Sequence, residues 1–322
     1  MALNNKVRML CSDLSHMPLH TIFRHSGVTE KHGFELEVDI ANIEVGGSII
    51  KMSERAPGLL TGRYEFLSGL HHETYIYRAK GDKRLVYLAQ TQNDWDDRLI
   101  SRPEITKAKQ LEGKRILTNR APCVGGNLEQ SLQRAGVDTS QVELVYGRHE
   151  GKHRAVEMVM RGEVDAASVD IPFDLQAKKR GLNVIELPAR PVIHNTTICA
   201  NMEYVRKNEE TVIAFLKALI EAIHFFKTEK QKTCALLRDH LVPLLHLEGD
   251  DEVEYLHDQW SRLLSAKPYP HPLAVWNVYD LDVGHDPKVN FIGPLEIWDT
   301  HYLRIVDDSG FIDGLYGRSA SA

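Results

Sequence analysis

The sequence predicts an α/β fold of mostly parallel sheets flanked by helices and divided into two domains. Three observations carry this. At 322 residues the chain exceeds the usual size of one domain and can bury a sizeable core. Short apolar strands alternate with amphipathic helical segments as far as Thr228. Glycines punctuate the helix ends, as at Gly136 and Gly162.

The elements follow in order. Lys6–Cys11 reads as the first strand, and Leu19–His25 as a helix. Phe34–Asn42 is a strand, because apolar and acidic residues alternate from Phe34 to Asp39. A helix follows Ser48, and then come strands at Tyr64–Ser68 and Arg84–Gln90. Gly113–Thr118, Val142–Tyr146 and Val164–Val169 are strands, separated by helices at Asn127–Ala135 and His153–Arg161. The longest helix covers Glu203–Thr228, where Val212, Phe215, Leu216, Leu219, Ile223 and Phe226 recur every three or four residues. Beyond Asp250 the prolines and three of the four tryptophans point to helices and extended loops packed on the outside of a lobe. Arg318–Ala322 reads as a frayed tail.

Composition excludes several classes. The net charge of −6 comes from both signs mixed along the chain, unlike the clustered Lys and Arg of a nucleic-acid binder. No apolar run is long enough to span a membrane. Cys11, Cys123, Cys199 and Cys234 are far apart and lack CxxC spacing, so they read as reduced thiols rather than a zinc or redox motif. Met1–Lys6 is short and polar and shows no signal-peptide organisation. As the chain stands this places it in the cytoplasm; a leader removed ahead of Met1 would place it in the periplasm. Nothing chooses between a monomer and a homodimer.

The order of motifs carries a resemblance. Val7–His20, with its Ser15-His16-Met17-Pro18 turn, resembles the first strand and ligand loop of binding proteins for nitrate, sulfonates and taurine. That superfamily, the type II periplasmic-binding-protein fold, also includes thiamine-pyrimidine-synthesis proteins. Gly33–Asp39, Leu111–Leu117, Met160–Val169 with Asp170–Phe173, and Glu203–Phe226 are similar to later segments of the same family. Asn290–Asp299 departs from the usual ending, and the cysteine-rich signature of the pyrimidine-synthesis enzymes is absent. The resemblance implies two lobes joined by two crossing segments, with a ligand cleft between them. Lobe 1 would hold residues 1–97 and 197–322, and lobe 2 residues 98–196.

Ligands of open α/β sheets sit outside the carboxyl ends of the strands. That rule selects Ser15 and His16; His71, His72 and Glu73; Asn93; Cys123, Gly125 and Asn127; Asp170; and Asn195. In Cys123–Asn127 small residues admit a close ligand, and a helix start favours an anion; the plain alternative is a turn with Asn127 as N-cap. Cys123 is either a thiol activated at a helix N-terminus or a small packing residue. His71 and His72 are adjacent, so in an extended segment only one would face a ligand. His16 and His20 have the i, i+4 spacing of a metal pair, but Pro18 lies between them and no glutamate completes an HExxH motif, so no metal is expected. Asp170 would accept from a ligand or orient a histidine, or else cap the helix after Pro172. Trp95 and Trp276 read as core with the cleft wall as the alternative.

No phosphate-binding loop, dinucleotide fingerprint or nucleophile elbow is present, and no cofactor is expected. Two functions remain open. The first is an ABC-transporter-type solute-binding protein that holds a small polar or anionic molecule, such as an aromatic or heterocyclic acid, for a permease. The second is a cofactor-independent lyase or hydrolase on the same scaffold, acting on a small carboxylate or sulfinate through His71, His72, Cys123 and Asp170.

Overall fold

The structure, a computed structural model, describes residues 6–45, 48–95, 97–147, 152–193 and 195–317, without the side chains of residues 44, 45, 48, 122, 123, 152 and 153. Twelve strands lie among the described residues: β1 Lys6–Cys11, β2 Glu35–Ile40, β3 Glu44–Val45, β4 Ser48–Ile49, β5 Phe66–Ser68, β6 Leu85–Gln90, β7 Arg98–Ser101, β8 Arg115–Thr118, β9 Glu143–Tyr146, β10 Ala166–Val169, β11 Asn183–Ile185 and β12 Thr197–Asn201. They form two five-stranded sheets, ordered β2-β1-β5-β12-β6 and β11-β7-β10-β8-β9, beside the small β3-β4 hairpin.

Each large sheet has a parallel half. In the first, β1 pairs parallel with β2 and β5; in the second, β8 pairs parallel with β9 and β10. Antiparallel pairing enters where the chain crosses between sheets. β7, the first strand after one crossing, runs antiparallel to β10 and β11. β12, the first strand after the return, runs antiparallel to β5 and β6. The two sheets are therefore mixed, and helices cover both faces of each, which is the two-lobed periplasmic-binding-protein architecture.

Alternating side chains explain the layers. In the first sheet Met9, Phe66, Leu88 and Ile198 face one core with Ile22, Phe23, Phe215 and Leu219. Leu10, Leu67, Tyr87 and Cys199 face the other with Leu59, Tyr75 and Tyr279. In the second sheet Leu99, Ile116 and Ala166 pack against Leu128, Leu132 and Val275, while Ile100, Leu117 and Ala167 pack against Val156, Val159 and Phe173. Helix Pro272–Tyr279, from the C-terminal segment, therefore supplies core to both sheets: Val275 to the second and Tyr279 to the first.

The long helix is interrupted. Met202–Lys207 and Glu209–Thr228 are separate helices, broken at Asn208. The Asn208 Nδ2 donates to the Tyr204 carbonyl at 2.8 Å, the kind of local side-chain bond that competes with helix continuation. Within Glu209–Thr228, Phe215 is fully buried; its ring stacks on Phe66 at 3.7 Å and meets Phe23 edge-on at 5.1 Å. Phe215→Ala removes the centre of this aromatic group. The expected destabilisation is about 3–5 kcal/mol, read from urea unfolding midpoints.

Candidate functional site

The carboxyl ends of β1 and β5 approach closely. Gly69, with φ +127°, lies just past β5; a Cβ there would fall 2.1 Å from Ser12 Oγ, so only glycine permits this contact. Asp13 accepts from the Ser15 N–H at 3.0 Å and caps the turn that follows β1. That turn leads into helix Met17–His25, with His16 at the cap position and Pro18 in the first turn. Proline is compatible with a helix there, because that N–H has no intrahelical partner anyway. Pro18 therefore does not interrupt the His16–His20 spacing, and the two histidines sit one helical turn apart.

The two crossing segments close the site. Ser15 Oγ donates to Asn195 Oδ1 at 3.4 Å, His71 Nε2 donates to the Asn195 carbonyl at 3.1 Å, and Asn195 Nδ2 donates to Gln92 Oε1 at 3.3 Å. Asn195 adopts φ +50°, a left-handed conformation asparagine tolerates, and Leu70 φ +65°, which a leucine holds only under tertiary constraint. His16 Nδ1 is hydrogen-bonded to Ser68 Oγ at 2.9 Å. Ser15, His16, His71 and Asn195 are thus gathered by β1, β5 and the returning segment, and all but the half-buried Ser15 are buried.

The other expected residues lie elsewhere. Asn93 spends its amide on the C-terminal segment, donating to the Tyr269 carbonyl at 3.0 Å and accepting from the His271 N–H at 2.8 Å. Glu73 is ion-paired with Arg55, which also donates to Ser12 Oγ at 3.2 Å. Asn127 is the first residue of helix Asn127–Arg134 rather than its cap, and its Oδ1 accepts from Arg190 at 2.9 Å. Gly125 packs so closely that a Cβ would lie 2.3 Å from the Asn119 carbonyl. Asp170 is half-buried; its carbonyl, not its carboxylate, takes the Phe173 N–H at 2.9 Å, and Pro172 holds the cap position. The Cys123 side chain lies outside the described residues, as does His194. Trp95 is core and Trp276 is exposed.

One residue was missed. Arg55 brings a cation to Ser12, and its side chain is mostly buried. It was not legible, because its pairing with Glu73 and its approach to Ser12 are set by tertiary packing. Gln92, from the same strand-end loop as Asn93, is fully buried, and its Nε2 has no hydrogen-bond partner. Burial pushes the thiols of Cys11 and Cys199 upward, so neither is a ready nucleophile. Burial lowers the pKa of His72; Asp282, 3.8 Å away, opposes that shift.

The sequence of residues 53–232 matches the family described as NMT1/THI5 like. The chain belongs to that family. No curated protein matches it. Among solved structures, it is similar to a putative sulfonate ABC transporter component, the periplasmic sulfonate-binding protein SsuA of Methylobacillus flagellatus KT, at 16% identity and a TM-score of 0.67, covering 99% of this chain and 98% of that one. The periplasmic aliphatic sulphonate-binding protein SsuA of Escherichia coli matches at 14% identity and TM-score 0.66, covering 92% and 93%. A cysteine-to-serine variant of DszB, in complex with biphenyl-2-sulfinic acid, matches at 14% identity and TM-score 0.66, covering 95% and 100%. At these identities the likeness establishes the fold.

His20 offers a direct test of the site's electrostatics. It is fully buried, and burial lowers its pKa from 6.5 to about 3. Between those values the unfolded chain binds more protons, so stability rises with pH. The contribution is complete above pH 6.5 and is lost as pH falls toward 3. Moving from pH 7 to pH 5 should cost the protein about 2 kcal/mol through this group, at 1.36 kcal/mol per unit. His20→Leu should flatten the urea midpoint against pH by that amount in EDTA-containing buffer; an unchanged slope would contradict the assignment.

Proposed function

We propose that the chain binds a small anionic or polar molecule between lobe 1, residues 1–97 and 197–322, and lobe 2, residues 98–196. The observation that carries this is Gln92 Nε2, a fully buried donor without a partner, set beside Asn195 in the segment that crosses between sheets. A buried donor left unsatisfied costs about 1–3 kcal/mol, which a ligand oxygen would recover. His71 and Ser15 are the donors that also meet Asn195, and Arg55, paired with Glu73, brings a guanidinium to Ser12 at the end of β1. Lobe closure would strip water from the ligand and strengthen these bonds. The names of the two sulfonate-binding neighbours support a sulfonate ligand, delivery to an ABC permease and a periplasmic setting.

The binding reading is tested by a thermal-shift screen over small sulfonates and carboxylates. A ligand at a hundredfold excess over its Kd adds about 2.7 kcal/mol and raises Tm by several degrees. Gln92→Glu keeps the acceptor for Asn195 but replaces the free donor with a carboxylate. It should weaken anion binding at least tenfold, and undiminished affinity in this variant would remove Gln92 from the site.

A second reading, a cofactor-independent lyase or hydrolase, is favoured by one observation. His72 is buried, neither of its ring nitrogens has a hydrogen-bond partner, and burial favours the neutral form that acts as a base. The DszB neighbour, a desulfurization enzyme bound to biphenyl-2-sulfinic acid, supports the same substrate class. His71 would assist His72, and Cys123 would be the nucleophile. Incubation with aromatic sulfinates and carboxylates, followed by mass spectrometry, should show turnover that His72→Gln abolishes; no turnover of any of these acids would leave binding alone.

A further inference from the structure

A cluster behind the binding loop shares His16 with the candidate site, while its other two members are not among the donors proposed above. Cys11 ends β1, His16 caps the first helix and His20 lies one turn into it. One donor atom from each of these three residues lies within 4.8 Å of the other two, and all three residues are buried. Metal–ligand bonds of about 2.0–2.3 Å span such a triangle once the side chains draw in by about an ångström.

Two further observations point to a ligand. Both ring nitrogens of His20 are buried and lack hydrogen-bond partners, whereas a buried imidazole ordinarily bonds through at least one nitrogen. The environment around it is apolar core, with Phe23 the neighbouring ring at 6.5 Å, so nothing there replaces the missing bond. On the other side, His16 Nδ1 is hydrogen-bonded to Ser68 Oγ at 2.9 Å, a contact of the kind that orients a metal-binding imidazole.

We propose that Cys11 Sγ, His16 and His20 form a mononuclear Zn²⁺ site with one open coordination position. One sulfur and two imidazole nitrogens suit a borderline-soft, four-coordinate ion. Among the described residues no fourth Cys, His, Asp or Glu joins the group, and three protein ligands with an open position is the arrangement that takes water or a ligand. Binding exchanges the Cys11 S–H for a zinc–thiolate bond. The proton leaves to buffer, and the contact from Cys11 Sγ to the Asp13 carbonyl, 3.1 Å, is given up. No electron changes hands.

The test uses untagged full-length protein stripped with EDTA and then dialysed against Zn²⁺ or Co²⁺. One zinc per chain should survive desalting. The Co²⁺ form should show a thiolate-to-cobalt charge-transfer band in the near ultraviolet and the intense visible bands of four-coordinate cobalt. Cys11→Ser should abolish the charge-transfer band, and His20→Gln should weaken Zn²⁺ binding at least tenfold. His240→Gln, whose ring stacks on His25 instead, should change neither. Absence of stoichiometric uptake, or a cobalt spectrum of the unmutated protein without the thiolate band, overturns the proposal. That spectrum needs no variant, so a substitution that disturbs folding leaves the answer intact. Anion binding by Gln92→Glu is read separately, and either result can stand without the other.

Discussion

The two lobes are joined through polar atoms that have no water to turn to. Gln90, Thr91 and Gln92 on the outgoing crossing and Asn195, Thr196 and Thr197 on the return are all buried. They bond one another across the seam, leaving Gln92 Nε2 unpaired: Thr91 with Thr196, Thr197 with Gln90, and Asn195 with Gln92 through Oε1. Buried polar groups are tolerable only when such bonds are made, and a low-dielectric seam makes each bond count for more. The positions of Ser15 and His71 follow from it, since both bond to Asn195. A second tie lies outside the seam. Helix Asp250–Leu263 holds helix Phe173–Lys179 through the buried Glu252, which accepts from Lys179 and Gln176 at 2.9 and 2.8 Å, and through the Tyr255–Asp174 bond. The lobes are thus coupled by directional contacts in addition to the apolar residues that helix Pro272–Tyr279 gives to both cores.

Four histidines of the first lobe show how environment separates one residue type into different tasks. His71 is fixed by donating to a carbonyl, His16 bonds a serine hydroxyl, and His20 is enclosed in apolar core. His72 is buried opposite Asp282, a residue supplied by the far C-terminal segment. Their proximity in sequence says little about this. What distinguishes them is which neighbour the fold delivers to each ring.

Much of the fold was legible because hydrophobic period is a local property. Lys6–Cys11 was readable to the residue, and the parallel strands of both sheets were found with boundaries only slightly too long. Arg98–Ser101, Asn183–Ile185 and Thr197–Asn201 were not read as strands. Each is short, and their antiparallel pairing at the crossings is decided by partners far along the chain. The helix breaks at Asn208, whose side chain bonds the Tyr204 carbonyl, although the apolar period runs on from Val212 undisturbed. The site divides in the same way. Ser15, His16, His71 and Asn195 follow from the rule that ligand loops succeed strands. The diversion of Asn93 to Tyr269 and His271, and the arrival of Arg55 beside Ser12, depend on tertiary packing alone.

The place of β12 within the first sheet also dictates a history. It lies between β5 and β6, so those two strands cannot join until residues 197–201 are available. Every strand of the second sheet, by contrast, precedes Thr197 in the chain. During synthesis the later half of the sequence order becomes the earlier half of the folding order: the second sheet can form complete while the first waits as an open half-sheet with β5 unpaired along one edge. Such an edge is a template for mispairing with another chain. The return strand that shapes the seam is therefore also what seals the nascent protein against association.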